Sequence, residues 1–254
     1  MASVGGVPCW VSLMTPDQRA AEEFYGPVLS WKFQGWDDGP DSRIATVDGQ
    51  PVAGFNQLAE DAGPEAERWS VYFQVADADL VAERIAERGA TVAVGPLRKG
   101  GGRAVIAADQ WGAPFGLWQG DGPASWHVGA GPAPAWLQLH TRDAFAAAVF
   151  YGEIFDWMDD PSHGVTYEEQ YDEIVVRLAG QPVAGLRGGA LESPPDPRIR
   201  TRWEPYFRVP GLDAAVDAAE REGGEVVTPP RDGPLGRTVT LRDPKGASFC
   251  LLST

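Results

Sequence analysis

Residues 10–14, Trp-Val-Ser-Leu-Met, alternate so that positions 10, 12 and 14 share one face, the period of a strand. A helical run follows. Asp17 stands where its carboxylate can cap the exposed N–H groups, and Ala20, Phe24 and Val28 recur at four-residue spacing as an apolar stripe. Pro27 has no N–H to donate, so an irregularity is expected there. Two short strands should meet around Gly49-Gln50, a turn-forming pair. A strand from Val71 to Val75 leads into a helix over 79–88, and Gly89 suits the left-handed position that ends it. A strand at 103–107, a turn at 109–112 and a strand at 115–118 close this stretch.

The pattern then returns. Trp10, Leu13, Thr15, Asp17, Phe24, Tyr25, Gly26 and Trp31 recur as Trp136, Leu139, Thr141, Asp143, Phe150, Tyr151, Gly152 and Trp157. GQPVAG at 49–54 returns at 180–185, and RWSVYFQV at 68–75 returns as RWEPYFRV at 202–209. RAVIAADQWGAPFGLW at 103–118 returns as RTVTLRDPKGASFCLL at 237–252, and the second helix as 213–222. Internal duplication sets the organisation: a first module over 1–121, a Gly-, Pro- and Ala-rich linker over 122–134 and a second module over 135–254. Each should run strand, helix, three short strands, helix, strands, an α+β arrangement.

Composition narrows the class of protein. A chain of 254 residues that is 43% hydrophobic can bury a core, yet no apolar run reaches the ~18 residues of a membrane helix. A net charge of −15 argues against nucleic acid, whose phosphates need clustered Lys and Arg. Cys9 and Cys250 give no disulfide framework, and the N-terminus shows no signal-peptide pattern. A soluble cytoplasmic protein without a membrane partner is expected.

The strand, Asp17 and Phe24-Tyr25, repeated as Asp143 and Phe150-Tyr151, resemble the opening motif of the vicinal oxygen chelate superfamily, which includes glyoxalases and bleomycin-resistance proteins. Asp243-Pro244-Lys245-Gly246, and more loosely Asp109-Gln110-Trp111-Gly112, resemble its closing motif. The resemblance covers nearly the whole chain. It implies tandem paired βαβββ modules whose curved mixed sheets surround a central cavity. Two modules in one chain supply the pairing that single-module relatives reach by dimerisation, so a monomer is expected, with a dimer as the alternative.

The family's usual chemistry uses a divalent metal held by His, Gln or Glu on the first, middle and last strands of each module. Mapped by distance from the shared motifs, those places fall at Trp10, Ser70 and Gly116 in the first module, and at Trp136, Glu204 and Cys250 in the second. Indole offers only an N–H donor and cannot ligate a metal. Glu204 and Cys250 alone are two donors of mismatched hardness. No metal and no other cofactor are therefore expected.

If these places face the cavity, alternation adds Ser12, Met14, Gln138 and His140 on the first strands. It adds Tyr72, Gln74, Tyr206 and Arg208 on the middle strands, and Pro114, Trp118, Ser248 and Leu252 on the last. Such a lining suits a flat ligand carrying hydroxyl or carbonyl groups. The candidate binding residues are Trp10, Trp136, Gln138, Ser70, Tyr72, Gln74, Tyr206, Arg208 and Trp118. Trp10 and Trp136 read either as core packing or as stacking walls. Tyr25 and Tyr151 read as packing of the first helices. His140 is the candidate proton-transfer group, because imidazole exchanges protons near neutral pH; a hydrogen-bonded structural His is the competing reading. Glu204 is the second catalytic candidate, with a salt bridge to Arg202 or Arg208 as its alternative. Arg208 could neutralise a phenolate or carboxylate on the ligand, or simply pair with Glu204. His127 and His163 read as solvated, the acidic run 167–173 as a solvated face, and Cys250 as a small buried hydrophobe.

The leading functional expectation is a metal-independent lyase, cyclase or isomerase acting on an aromatic polyketide. A natural-product-sequestering resistance protein is the alternative. A metal-dependent glyoxalase or dioxygenase comes third, and a non-catalytic signalling role fourth.

Overall fold

The computed structural model describes residues 5–36, 42–59, 67–123, 126–157, 164–168, 173–189 and 200–254. The first half of the chain runs β1 (Val7–Thr15), α1 (Gln18–Leu29), β2 (Lys32–Gly35), β3 (Ser42–Val47), β4 (Gln50–Gln57), β5 (Arg68–Gln74), α2 (Ala78–Glu87), β6 (Thr91–Lys99), β7 (Gly102–Ala108) and β8 (Pro114–Gln119). The second half repeats it: β9 (Trp136–Asp143), α3 (Ala144–Ile154), β10 (Gly164–Glu168), β11 (Glu173–Leu178), β12 (Gln181–Gly189), β13 (Arg202–Val209), α4 (Leu212–Arg221), β14 (Glu225–Gly233), β15 (Gly236–Arg242) and β16 (Ser248–Ser253). The fold is α+β and consists of four βαβββ motifs, two per half.

The capping residues act as their chemistry dictates. Asp17 Oδ1 accepts from the Ala20 amide at 3.0 Å, and Asp143 Oδ1 from the Ala146 amide at 2.9 Å. Helix α1 continues through Pro27 to Leu29 at the cost of the i→i−4 hydrogen bond that residue 27 would donate to the Glu23 carbonyl. Four strands, not three, separate the helices of each half. The additional ones, β2 and β10, end their sheets. Strands β6 and β14 also end theirs and carry Pro96 or Pro229 and Pro230 beside register shifts, which an edge position tolerates.

The chain forms two compact units that do not follow its sequence halves. The first unit contains Met1–Cys9, Val71–Val128 and Trp136–Trp203; the second contains Trp10–Ser70, Gly129–Ala135 and Glu204–Thr254. In the first unit the strand orders are β5-β8-β7-β6 and β10-β11-β12-β9; in the second they are β2-β3-β4-β1 and β13-β16-β15-β14. Each motif opens with a strand lying parallel to its last strand, β1 with β4, β5 with β8, β9 with β12 and β13 with β16, while the other pairings within a motif are antiparallel.

Each unit is centred on an aromatic cluster. In the second unit Tyr25 meets Trp69 edge-on at 5.5 Å, and Phe207 lies 4.8 Å from Trp31 and 5.2 Å from Trp69, centroid to centroid. In the first unit Trp203 lies 5.7 Å from both Tyr151 and Phe73. Both tyrosines are fully buried, so each hydroxyl needs a partner. Tyr25 donates to Asp243 Oδ2 at 2.8 Å and accepts from Trp69 Nε1 at 3.1 Å. Tyr151 donates to Asp109 Oδ2 at 3.3 Å and accepts from Trp203 Nε1 at 3.2 Å. The other carboxylate oxygen of each Asp ties a turn. Asp243 Oδ1 accepts from the amides of Lys245 and Ala247, and Asp109 Oδ1 from those of Trp111 and Ala113. Replacing Tyr25 by Phe leaves a buried carboxylate oxygen and a buried indole N–H short of a partner. A stability loss of about 1–3 kcal/mol is expected, read by urea denaturation.

Another buried acid of the second unit, Glu67, adjoins Asp243. Glu67 Oε2 accepts from the Thr15 hydroxyl at 2.6 Å, and its carboxyl hydrogen-bonds to Asp243. Burial first, and the Asp243 charge second, push Glu67 from its ordinary 4.5 up to about 8. Folded protein therefore holds this proton where unfolded chain has released it. The associated stability is full below about 4.5 and is lost as pH rises through about 8. Glu67→Gln keeps a donor toward Asp243 without a titrating proton. Melting temperatures measured from pH 6 to pH 9 should fall less steeply in the variant than in the parent; parallel slopes would show that Glu67 is ionised throughout.

Candidate functional site

In the first unit, the place for a last-strand metal ligand is Gly116, which pairs with Tyr72 across β5 and β8. The Tyr72 ring fills the space beside it. A Cβ at 116 would lie 2.2 Å from Cδ1 of that ring, so no side chain can project there while the ring stays. Further along the same strands, Gln74 Nε2 donates to the Gly120 carbonyl at 2.9 Å, and Trp118 Nε1 to the Asp121 carbonyl at 3.2 Å. Both therefore hold the chain where it leads into the linker.

On β9 of the same unit, Trp136 and Gln138 are buried and His140 is half-buried. Trp136 Nε1 donates to Gln138 Oε1 at 3.4 Å, a two-residue contact along one strand face. Trp136 is thus buried with its N–H directed at Gln138.

The second unit holds Trp10, Ser70, Glu204, Tyr206 and Arg208. Trp10 is half-buried, meets Trp36 edge-on at 5.2 Å, and lies over Gly54, where a Cβ would come within 2.8 Å of its Nε1. Ser70 is buried. Glu204, 1% exposed, accepts a hydrogen bond from the Cys250 thiol at 3.4 Å. Cys250 also lies 3.3 Å from Thr240 Oγ1, pairs in register with Tyr206 and hydrogen-bonds to the Tyr206 side chain. Burial, then the nearby Glu204 charge, drives this thiol well above its ordinary range. It is a protonated, buried group, as its sequence setting suggested. Arg208, at the position equivalent to Gln74, donates to the carbonyls of Gly129 at 2.9 Å and Ala133 at 3.5 Å. It binds the linker itself, as Gln74 binds the chain leading into it.

His127 is exposed, and His163 and residues 169–172 lie outside the described residues. Glu173 corrects the expectation of a solvated acidic face. It opens β11 and is buried at 4% exposure, with Oε2 3.5 Å from Arg187 Nη2. Its carboxyl lies over Gly185, where a Cβ would sit 2.5 Å from Cδ. The reason is local: the strand turns this side chain onto the inner face, and glycine leaves room for it. Strand alternation did not mark Glu173 and Arg187 as candidates. Aligning the halves through GQPVAG would have marked them, because Ser42 and Asn56 stand in their places.

Among the described residues no group of three His, Cys, Asp or Glu is arranged to hold a metal ion, and no helix is long and apolar enough to cross a membrane.

This architecture defines a class, the two-module glyoxalase fold. The model of the glyoxalase-like domain matches residues 10–118 and again 136–252, and the chain belongs to that family, within the vicinal oxygen chelate superfamily. Over 97% of its length it is 33% identical to CFP32 of Mycobacterium tuberculosis (strain CDC 1551 / Oshkosh), whose name places it only provisionally among glyoxylases; the match covers 94% of that protein. It is 31% identical to the anthracycline biosynthesis protein DauV of Streptomyces sp. (strain C5), covering 97% of this chain and 93% of that one. Among solved structures, the Mn(II)-bound glyoxalase of Novosphingobium aromaticivorans superposes with a TM-score of 0.58 at 14% identity, covering 97% of this chain and 83% of that one.

The donor set here does not fit such a metal. Trp10 and Trp136 present indole N–H groups, Gly116 is covered by a tyrosine ring, and Cys250 is a protonated thiol bound to Glu204. A substitution tests the tyrosine cover. Gly116→Ala should destabilise the protein by about 1–3 kcal/mol, because the Tyr72 ring must shift. Thermal melting checks this, and an unchanged melting temperature would mean that the ring moves freely.

Proposed function

We propose that this chain is a metal-independent acid–base enzyme, a lyase or cyclase that removes water from, or closes a ring on, an aromatic polyketide of the anthracycline kind. The observation that carries the reading is the occupation of the family's metal-ligand places. They hold two indoles, a serine, a glycine under a tyrosine ring, a single carboxylate (Glu204) and a protonated thiol, so the fold's usual electrophile lacks a full ligand set, while proton-transfer side chains remain. The similarity to DauV, named for anthracycline biosynthesis, supports the substrate class.

Dehydration beside a carbonyl needs only positioned groups. A base takes the proton from the carbon next to the carbonyl, the C–H electrons form a C=C bond, and the neighbouring C–O bond breaks. The departing hydroxyl receives a proton and leaves as water. Correctly placed general acids and bases contribute roughly 10²–10⁴-fold each. In the first unit we assign proton transfer to His140, half-buried on β9. In the second unit we assign it to Glu204, whose buried carboxylate already accepts a proton donor. Trp10, Trp136, Tyr72 and Tyr206 supply the flat apolar contacts, and Ser70, Gln138, Gln74, Arg208 and Trp118 complete the lining or brace it.

The test is incubation of chelator-treated protein with a panel of aromatic polyketides, with bound and free fractions read by mass spectrometry. Loss of one water, or an isomer with a new retention time, is expected without added metal. At least one of His140→Ala and Glu204→Gln should lower turnover about 100-fold while the melting temperature stays close to that of the parent. Full turnover in both variants sinks the assignment of these residues. A compound retained unchanged would instead identify a sequestering protein, and activity restored only by Mn(II) would return the chain to metal chemistry.

A further inference from the structure

At one place the duplicated halves keep their backbone register and change their chemistry. In β1 and β4, Ser12 pairs with Gly54 and Met14 with Asn56, and the Ser42 hydroxyl on β3 donates to Asn56 Oδ1 at 3.5 Å. In β9 and β12, Gln138 pairs with Gly185 and His140 with Arg187. Glu173 stands seven residues before the second GQPVAG motif, as Ser42 stands before the first. A small neutral set in one half is replaced by an amide, an imidazole, a carboxylate and a guanidinium in the other.

These four groups share one face of the first unit. Residues paired across neighbouring strands, and residues two apart along one strand, point the same way. The Glu173 carboxyl occupies the space a side chain at 185 would take, which puts it beside Gln138 on that face. Burial is graded: the Gln138 and Glu173 side chains form a floor, while His140 is half-buried and Arg187 is 37% exposed at the rim.

Gln138 supplies the pointer to a ligand. It is 1% exposed, and the Trp136 N–H fixes its amide orientation by donating to Oε1. Nε2 therefore faces away from the indole, buried and without a hydrogen-bond partner. An orphaned donor of this kind is costly, and an incoming acceptor removes the cost. Next to it stands a carboxylate whose charge Arg187 balances and which can accept from a hydroxyl. A floor that donates at one point and accepts at the next matches a ligand edge with a carbonyl beside a hydroxyl.

We propose that Gln138, Glu173 and Arg187 form a recognition site for a hydroxy-carbonyl edge, with Gln138 Nε2 donating to the carbonyl oxygen and the Glu173 carboxylate accepting from the hydroxyl. His140 brings an imidazole to the rim of the same site. The assignment rests on the aromatic-ligand reading above and adds to it the functional group that is read.

The test is a titration of the full-length protein with 1,2-dihydroxyanthraquinone and with its dimethyl ether, followed by quenching of tryptophan fluorescence and by calorimetry. The parent protein should bind the dihydroxy compound about tenfold more tightly, the scale of one hydrogen bond to a buried polar group. Glu173→Gln should remove about tenfold from that affinity and leave the ether unchanged, whereas Gln138→Leu, which loses the donor to a carbonyl that both compounds carry, should weaken both about tenfold. Ser42→Ala, the counterpart in the other half, should change neither. The comparison of two ligands on the parent protein needs no variant, so a variant that fails to fold does not obscure the outcome. Equal affinity for the two compounds overturns the recognition site and leaves the aromatic-ligand reading standing. No binding of either compound overturns both.

Discussion

A buried tyrosine hydroxyl and the aspartate that receives it are the constraint on which each unit depends. A phenol with no solvent exposure must place its hydrogen bond inside the core. In the second unit Tyr25, near the start of the chain, reaches Asp243, near its end. In the first unit Tyr151 reaches back to Asp109. Each aspartate spends its other oxygen on the turn that precedes the last strand of its motif, β8 or β16, so one carboxylate joins a helix, a turn and, through the tyrosine, a tryptophan. Burial raises both tyrosine hydroxyls well above their ordinary range, which keeps them donors at any physiological pH. Each unit takes its tyrosine from one half of the sequence and its aspartate from the other, so both halves must carry both motifs. That is a physical reason for the completeness of the repeat.

The repeat made most of the fold legible in advance. Strand alternation at 10–14, the capping Asp17 and Asp143, the Gly49-Gln50 turn and the closing hairpins all lie where the pattern put them. The edge strands were not legible. β2 is four residues long and mostly exposed, and β6 and β14 are interrupted by proline and by register shifts, so none shows a clean period of two. The partition into units was not legible either, because contiguity along the chain says nothing about which motifs share a core.

The site was legible in its positions and less so in its partners. Alternation named Gln138 and His140 on β9 and Tyr206 and Arg208 on β13, but which backbone carbonyl receives the Arg208 guanidinium depends on the course of the linker, which no local pattern encodes. Glu173 was hidden for another reason. It ends a run of acidic residues and reads as surface until Gly185 is seen to leave room for its carboxyl. A glycine conveys that information only through what lies above it in three dimensions.

Divergence between the halves follows the division between what holds the fold and what faces the inner surface. The Trp–Tyr–Asp relay is preserved in both units down to the direction of each hydrogen bond. The residues opposite Gly54 and Gly185 are not preserved. In one half Trp10 Nε1 and Ser12 Oγ occupy the space above the glycine; in the other a carboxylate does, beside an amide donor with no partner. Keeping a buried carboxylate and an orphaned donor side by side lowers stability, and packing gains nothing from it. A duplicated fold with its core secured twice can carry that cost in one copy. The chemistry of the pair, one donor next to one acceptor, then specifies a ligand edge more narrowly than the aromatic surfaces around it do, since flat apolar walls accept many rings and a matched polar pair accepts few.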